Sequence, residues 1–317
     1  MFKIPTFASN PIIFFLWHLL ILIGMVITFY IVGGVLGIGM TKTFLGIDLQ
    51  SSFYDILNHP NEYPQGVLAL KLNQGLISIA IFIIPAFLFS RSINQNPIHF
   101  LHLKHKTRFY NYLFIIILII SAIPVSSWLL ELNQNLHLPE GLKEFEAYLR
   151  GDEEFNKLQS ELFVKADGVG QLLFNIVIVA IIPAIAEEIF FRGCLQNFVR
   201  MCFYNLHVSV VFTAIIFSAI HGDYFGFLPR FMFGVVLGYA FAYSGNIWVS
   251  VLGHFLNNAI TILAFNVSIM HPEIEYFKDD YNFPIYLTAI AAFGVVIILF
   301  AMNKLRFNQI FIKHIND

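Results

Sequence analysis

Eight stretches of this chain are apolar enough to cross a membrane, which constrains its fold more than any other feature. They lie at roughly 12–36, 73–91, 110–130, 169–199, 206–221, 226–243, 247–269 and 283–302. A helix needs about 20 apolar residues to span the hydrocarbon of a bilayer. The composition agrees: 58% of the 317 residues are hydrophobic and 12% charged, against about 45–50% and 25% in soluble domains. The expected fold is an all-α, eight-helix transmembrane bundle, a single polytopic domain over residues 1–317 with no internal repeat and no soluble domain. The first run lacks a small-residue cleavage site and exceeds a signal-peptide core, so it reads as a retained span. A net charge of −2 and the lack of a basic domain argue against a nucleic-acid partner.

Loop charges set an expected orientation. The segment 91–109 carries Arg91, Lys104, Lys106 and Arg108 without an acid, which places it in the cytoplasm. Residues 131–168 carry nine acids against four bases and should face outward, as should the acidic loop His271–Asn282. Lys304, Arg306 and Lys313 put the C-terminal tail inside, so eight spans leave both termini cytoplasmic. Gly33/Gly37 and Gly234/Gly238 have the four-residue spacing that lets helices approach closely. Cys194 and Cys202 have neither a disulfide-framework nor a metal-knuckle spacing and read as small apolar filler.

Polar groups interrupt the apolar runs at a few places. Glu187 and Glu188 sit in the fourth run, His221 at the end of the fifth, and His254 and Asn258 in the seventh. Acids in hydrocarbon cost several kcal/mol each and are usually retained for a task. If runs four and five turn near Tyr204, Glu187 lies seventeen residues before the turn and His221 seventeen after it, which gives them equal depth. A second turn near Gly245 brings His254 to an approximately similar level. Residues four apart share a helix face, so Arg192 should neutralise Glu188. Glu187, rotated by about 100°, is left free to act as a general base on water. His221 is placed to share that water, as acid/base partner or metal ligand. Pro183 removes one helical hydrogen bond and frees a carbonyl beside the site, which could orient a substrate strand or a water. His254 and Asn258 should point the same way, suited to hold an oxyanion, with Asn257 as competitor. Phe217, one turn before His221, could wall the pocket.

Other polar residues have simpler explanations. His99, His102 and His105 fit a headgroup-facing loop, and His18 beside Trp17 an interfacial anchor. Ala242-Tyr243-Ser244-Gly245 lacks a histidine at matching depth for a serine nucleophile, and no His-Glu-x-x-His helix or paired intramembrane aspartate is present.

Glu187-Glu188-x-x-x-Arg192, Phe217-x-x-x-His221 and His254-x-x-x-Asn258 together resemble the signature motifs of the CPBP intramembrane proteases, which include type II CAAX prenyl endopeptidases and bacteriocin-processing Abi proteins. The resemblance covers about residues 169–260, the expected catalytic core, with the site between helices 4, 5 and 7. It implies hydrolysis of a peptide bond in a membrane-anchored or lipidated, CAAX-like substrate, with Glu187 and His221 activating water, His254 and Asn258 holding the oxyanion, and Glu188 and Arg192 balancing charge. Glu187, His221 and His254 could ligate zinc, although a metal-free glutamate mechanism is also argued for the fold. Membrane lipid and a peptide or lipidated protein are the expected partners. A non-catalytic scaffold or immunity protein binding a peptide in the same cavity is the principal alternative. A proton-coupled transporter is a third, unsupported by any repeat.

Overall fold

The computed structural model describes residues 10–277 and 281–316, with side chains for residues 10–276 and 281–306. Residues 278–280 and the Lys313 side chain, which enter the charge reading above, lie outside the described set. The main helices are α1 (Pro11–Leu45), α2 (Leu49–Asn58), α3 (Pro64–Ser92), α4 (Phe109–Gln134), α5 (Lys143–Val164), α6 (Val169–Phe203), α7 (Leu206–Ala219), α8 (Phe227–Ser244), α9 (Ile247–Met270) and α10 (Ile285–Asn316). Among the described residues, seven of them (α1, α3, α4, α6, α8, α9 and α10) are long and apolar enough to cross a membrane. The chain is thus a multi-pass, all-helical membrane protein. Large apolar side chains such as Phe44, Ile117, Leu173 and Phe300 cover its outer surface, as expected of a lipid-facing wall.

The expected fifth span behaves differently from the others. α7 has 14 residues, about 21 Å at 1.5 Å per residue, which is short of the ~30 Å hydrocarbon core. It stops at Ala219 because the chain turns through Ile220 and His221 into Gly222, whose φ of 69° belongs to the left-handed region. The turns expected near Tyr204 and Gly245 are present: both residues cap helix C-termini with positive φ, 53° and 66°. Asn205 and Asn246 follow them, and their side chains accept from the backbone N–H of Val208 and Trp248 to start the next helices.

Two further helices fall in segments read from sequence as loops. α2 packs Ile56 and Leu57 against Leu70 of α3, and Leu162 and Phe163 of α5 close over them. α5 begins with Glu144 and Glu146 in its first turn, where the helix dipole favours negative charge. Glu146 also accepts from His137 Nδ1 at 2.9 Å, the Leu138 amide at 2.8 Å and Arg150 Nη2 at 2.8 Å. The Arg150 hydrogen bonds, then that of His137, hold the Glu146 carboxyl down at about 2. A carboxylate depressed in the folded state stabilises fully above its ordinary value near 4.5, and that contribution disappears as pH falls toward about 2. The wild type should therefore lose thermal stability between pH 4.5 and 2 more steeply than Glu146→Gln. Parallel melting curves in detergent across that window check this.

α7 and α8 form a tightly packed hairpin, which the glycine pair explains. A Cβ built on Gly234 would lie 3.0 Å from the Ala214 Cβ and 3.1 Å from its Cα, and one on Gly238 2.9 Å from Val210. Gly33 and Gly37 of α1 do the same against Ala80 and Asn73 of α3. The spacing read in the sequence is that of two helix contacts. Gly234→Val should destabilise the fold by about 1–3 kcal/mol by forcing the hairpin apart, read as a lowered melting midpoint.

Candidate active site

The acid pair lies on a helix that is not uniform. Two π-helical stretches, Ile176–Ile181 and Ile189–Gln196, flank the α-helical turn Ile182–Glu188 that bears Glu187 and Glu188. Pro183 has no N–H to offer the Val179 carbonyl, and its ring would crowd that carbonyl in an α-helix. Widening to π geometry just before the proline relieves the clash. α3 repeats the pattern, with a π stretch at Ile79–Ile83 before Pro85. The Val179 carbonyl, which the sequence marked as freed, accepts from Asn258 Nδ2 of α9 at 3.3 Å.

Glu188 is the hub of the buried cluster. Its Oε1 accepts from Arg192 Nη1 at 2.7 Å and from His254 Nδ1 at 2.9 Å. The Glu188 and Arg192 side chains are both 0% exposed. Such a pair survives burial only if good geometry and further hydrogen bonds offset desolvation. Here Arg192 Nη2 donates to the Gly234 carbonyl at 3.1 Å, and its guanidinium lies 4.8 Å above the Phe217 ring. The pairing read from the i,i+4 spacing is present, and His254 joins it directly.

Glu187 emerges about 100° round the helix, as expected. Its Oε2 lies 3.9 Å from His254 Nε2, too far for a direct hydrogen bond. That oxygen is buried and has no hydrogen-bond partner among the described residues. Glu188 on Nδ1 fixes the imidazole's orientation and turns Nε2 toward Glu187. Phe217 and Phe233 hold the ring edge-on, with centroids at 6.0 and 5.4 Å.

His221 reaches the cluster from the end of α7. Its Nδ1 is 2.7 Å from the Phe217 carbonyl, its ring 5.0 Å from the Phe217 ring, and Glu187 and His254 lie within electrostatic range. Phe217 therefore touches His221, His254 and Arg192, which is the wall the sequence suggested. Asn258 shares the face of His254, yet its amide bonds Val179 while Asn257 donates to its Oδ1 at 3.3 Å. The structure thus brings Glu187, Glu188, Arg192, His221 and His254 together and gives Asn258 a separate backbone partner. Glu187, His221 and His254 do not close into a ligand set: among the described residues no three His, Cys, Asp or Glu side chains are arranged to hold a metal ion.

Other polar residues play parts that the sequence reading missed. Gln196 Nε2 donates to the Gly238 carbonyl at 3.0 Å, one turn beyond the Arg192–Gly234 bond. The signal was available, because 192/196 and 234/238 are both four apart. Asn133 of α4 is buried and clamps the chain after His221, donating to Tyr224 O at 3.1 Å and accepting from Leu228 N at 2.8 Å. No local pattern announces it. His102 bonds the Gly245 carbonyl at 3.0 Å and lies 2.7 Å from His105 Nδ1, so this histidine loop ties onto the α8–α9 turn.

Fold and site together define a multi-pass helical membrane protein with a carboxylate–guanidinium–imidazole cluster buried at its centre. Residues 169–260, which hold every candidate site residue, match the family model described as Rce1-like, type II CAAX prenyl endopeptidase Rce1-like. That match supports a CPBP family intramembrane protease. No curated protein and no solved structure matches the chain.

Arg192→Met should cost about 3–5 kcal/mol, because it strands the Glu188 charge in the interior. Adding Glu188→Gln should recover part of that loss. Thermal unfolding of the single and double variants measures both terms.

Proposed function

We propose that this chain is an intramembrane endopeptidase that cleaves a membrane-anchored or lipidated, CAAX-like protein by attack of an activated water. The observation that carries this is Glu187, a half-buried carboxylate with a buried, unpartnered oxygen 3.9 Å from the Nε2 of an oriented imidazole. A gap of that size suits one water bound by both groups. Glu187 takes a proton from this water as it attacks the scissile carbonyl, then passes the proton to the leaving amine. Glu188, fixed by Arg192, holds the His254 ring by its Nδ1 so that Nε2 faces the position where the oxyanion develops. His221, with Nδ1 occupied by the Phe217 carbonyl, presents Nε2 to the same water. Asn258 would reach an oxyanion only by releasing Val179.

The family match at residues 169–260 supports the reaction class. The basic loop around Lys104–Arg108 supports an orientation with that loop in the cytoplasm.

Glu187→Ala should lower cleavage of a reconstituted lipidated peptide by about 10²–10⁴-fold, the usual weight of a general base, with the melting curve unchanged. Undiminished turnover removes Glu187 from the role. Peptide binding that survives Glu187→Gln, with no product ever formed by wild type, identifies a binding scaffold. A chelator arm in the same assay decides metal dependence.

A further inference from the structure

A buried lysine far from the acid cluster lacks a contacting counter-ion. Lys71 of α3 is 6% exposed, and its Nζ donates to Asn175 Oδ1 of α6 at 2.8 Å. Asn175 spends its own donors on the Val164 and Lys165 carbonyls, so its oxygen is aimed at the lysine. Among the described residues no carboxylate lies within ion-pair distance of Lys71, although Asp167 acts on it through space. An ammonium has three donors, and its burial is costly unless paired.

Lys71 and Asn175 line a cleft of about 280 Å³ between α3, the end of α5 and the start of α6. Lys165 and Asp167 also line it, which leaves one net positive charge, and Val67, Leu68, Leu162 and Phe174 make its apolar walls. Asn175 precedes Glu187 by twelve residues, about 18 Å along the helix, so the cleft is separate from the acid cluster. α3 has 29 residues, about 43 Å, which matches a bilayer including its headgroups. Lys71 lies seven residues inside its start at Pro64, about 10 Å in, near the depth where headgroups give way to hydrocarbon.

We propose that this cleft binds a phosphate group, with Lys71 as its cation, Asn175 as the residue that aims it and Lys165 at the rim. The apolar walls at headgroup depth suit a phospholipid, whose phosphate meets Lys71 while its apolar part packs beside Phe174. A free phosphate offers the same anion without the apolar part.

The test uses the full chain, stripped of phospholipid in a maltoside detergent. Short-chain phosphatidylglycerol, the matching phosphate-free diacylglycerol and inorganic phosphate are each titrated against wild type, Lys71→Met and Lys165→Ala. Wild type should bind phosphatidylglycerol saturably, Lys71→Met about tenfold or more weakly, and diacylglycerol binding should not respond to Lys71. Inorganic phosphate bound as well as the lipid, with the same dependence on Lys71, supports the site with a soluble anion as its source. Should Lys71→Met fail to fold, weaker phosphate or lipid binding by Lys165→Ala, which is exposed at the rim, supports the site. Wild type that binds neither phosphatidylglycerol nor phosphate saturably, or binding indifferent to both lysines, overturns it.

Discussion

The buried contact between Glu188 and Arg192, at 2.7 Å and shut away from solvent, is the interaction the rest of the site depends on. At membrane depth such a pair is tolerated only where the remaining charge finds hydrogen bonds. The surrounding structure supplies several of them, leaving Glu188 Oε2 and Arg192 Nε without a partner among the described residues. Gly234 allows α8 to approach closely, and its carbonyl accepts from Arg192. Gly238 repeats the arrangement for Gln196. His254 of α9 adds a second donor to Glu188 Oε1, and Phe217 lies against the guanidinium face. The glycines therefore serve two ends, close helix packing and backbone oxygens within reach of a buried cation.

Adjacency in sequence gives the two acids different environments. One residue along a helix is a rotation of about 100°, which turns Glu188 into the Arg192–His254 cluster and Glu187 toward the open side of the same imidazole. Glu188 fixes the histidine through Oε1, while Glu187 makes no such contact and keeps a buried oxygen 3.9 Å from the same ring. The π stretches on either side shift the helix register around this turn, and Pro183 accounts for the first of them.

What could be read from the sequence was what helical periodicity encodes. The Glu188–Arg192 pair, the glycine contacts and the turns at Tyr204 and Gly245 follow from spacings within one helix or between neighbours, and all are present. What escaped depends on partners distant in the chain. Asn258 was expected beside His254 at an oxyanion because the two share a face; its bond to Val179 depends on where α6 lies against α9. Asn133 and Lys71 lie just outside the apolar runs 110–130 and 73–91, and nothing marks them until α8 and α6 are placed against them. α2 and α5 were hidden because neither contains the continuous apolar run that marks a span, α2 being short and α5 heavily charged.

The shortness of α7 explains how His221 comes to be available at all. A full-length span would carry its last residues to the membrane surface, about 10 Å beyond where 14 residues end. By stopping at Ala219, the chain turns at His221 short of a full span, and that exposed turn must be held in place. Asp223 pairs with Arg230 at 2.5 Å, Asn133 fixes Tyr224 and Leu228, and Arg150 of α5 lies 4.3 Å over the Phe225 ring. Arg150 is itself held by Glu146. The amphipathic helix thus acts as a cover whose ion pair anchors the turn carrying His221, and links a polar surface segment to the depth at which Glu187 lies.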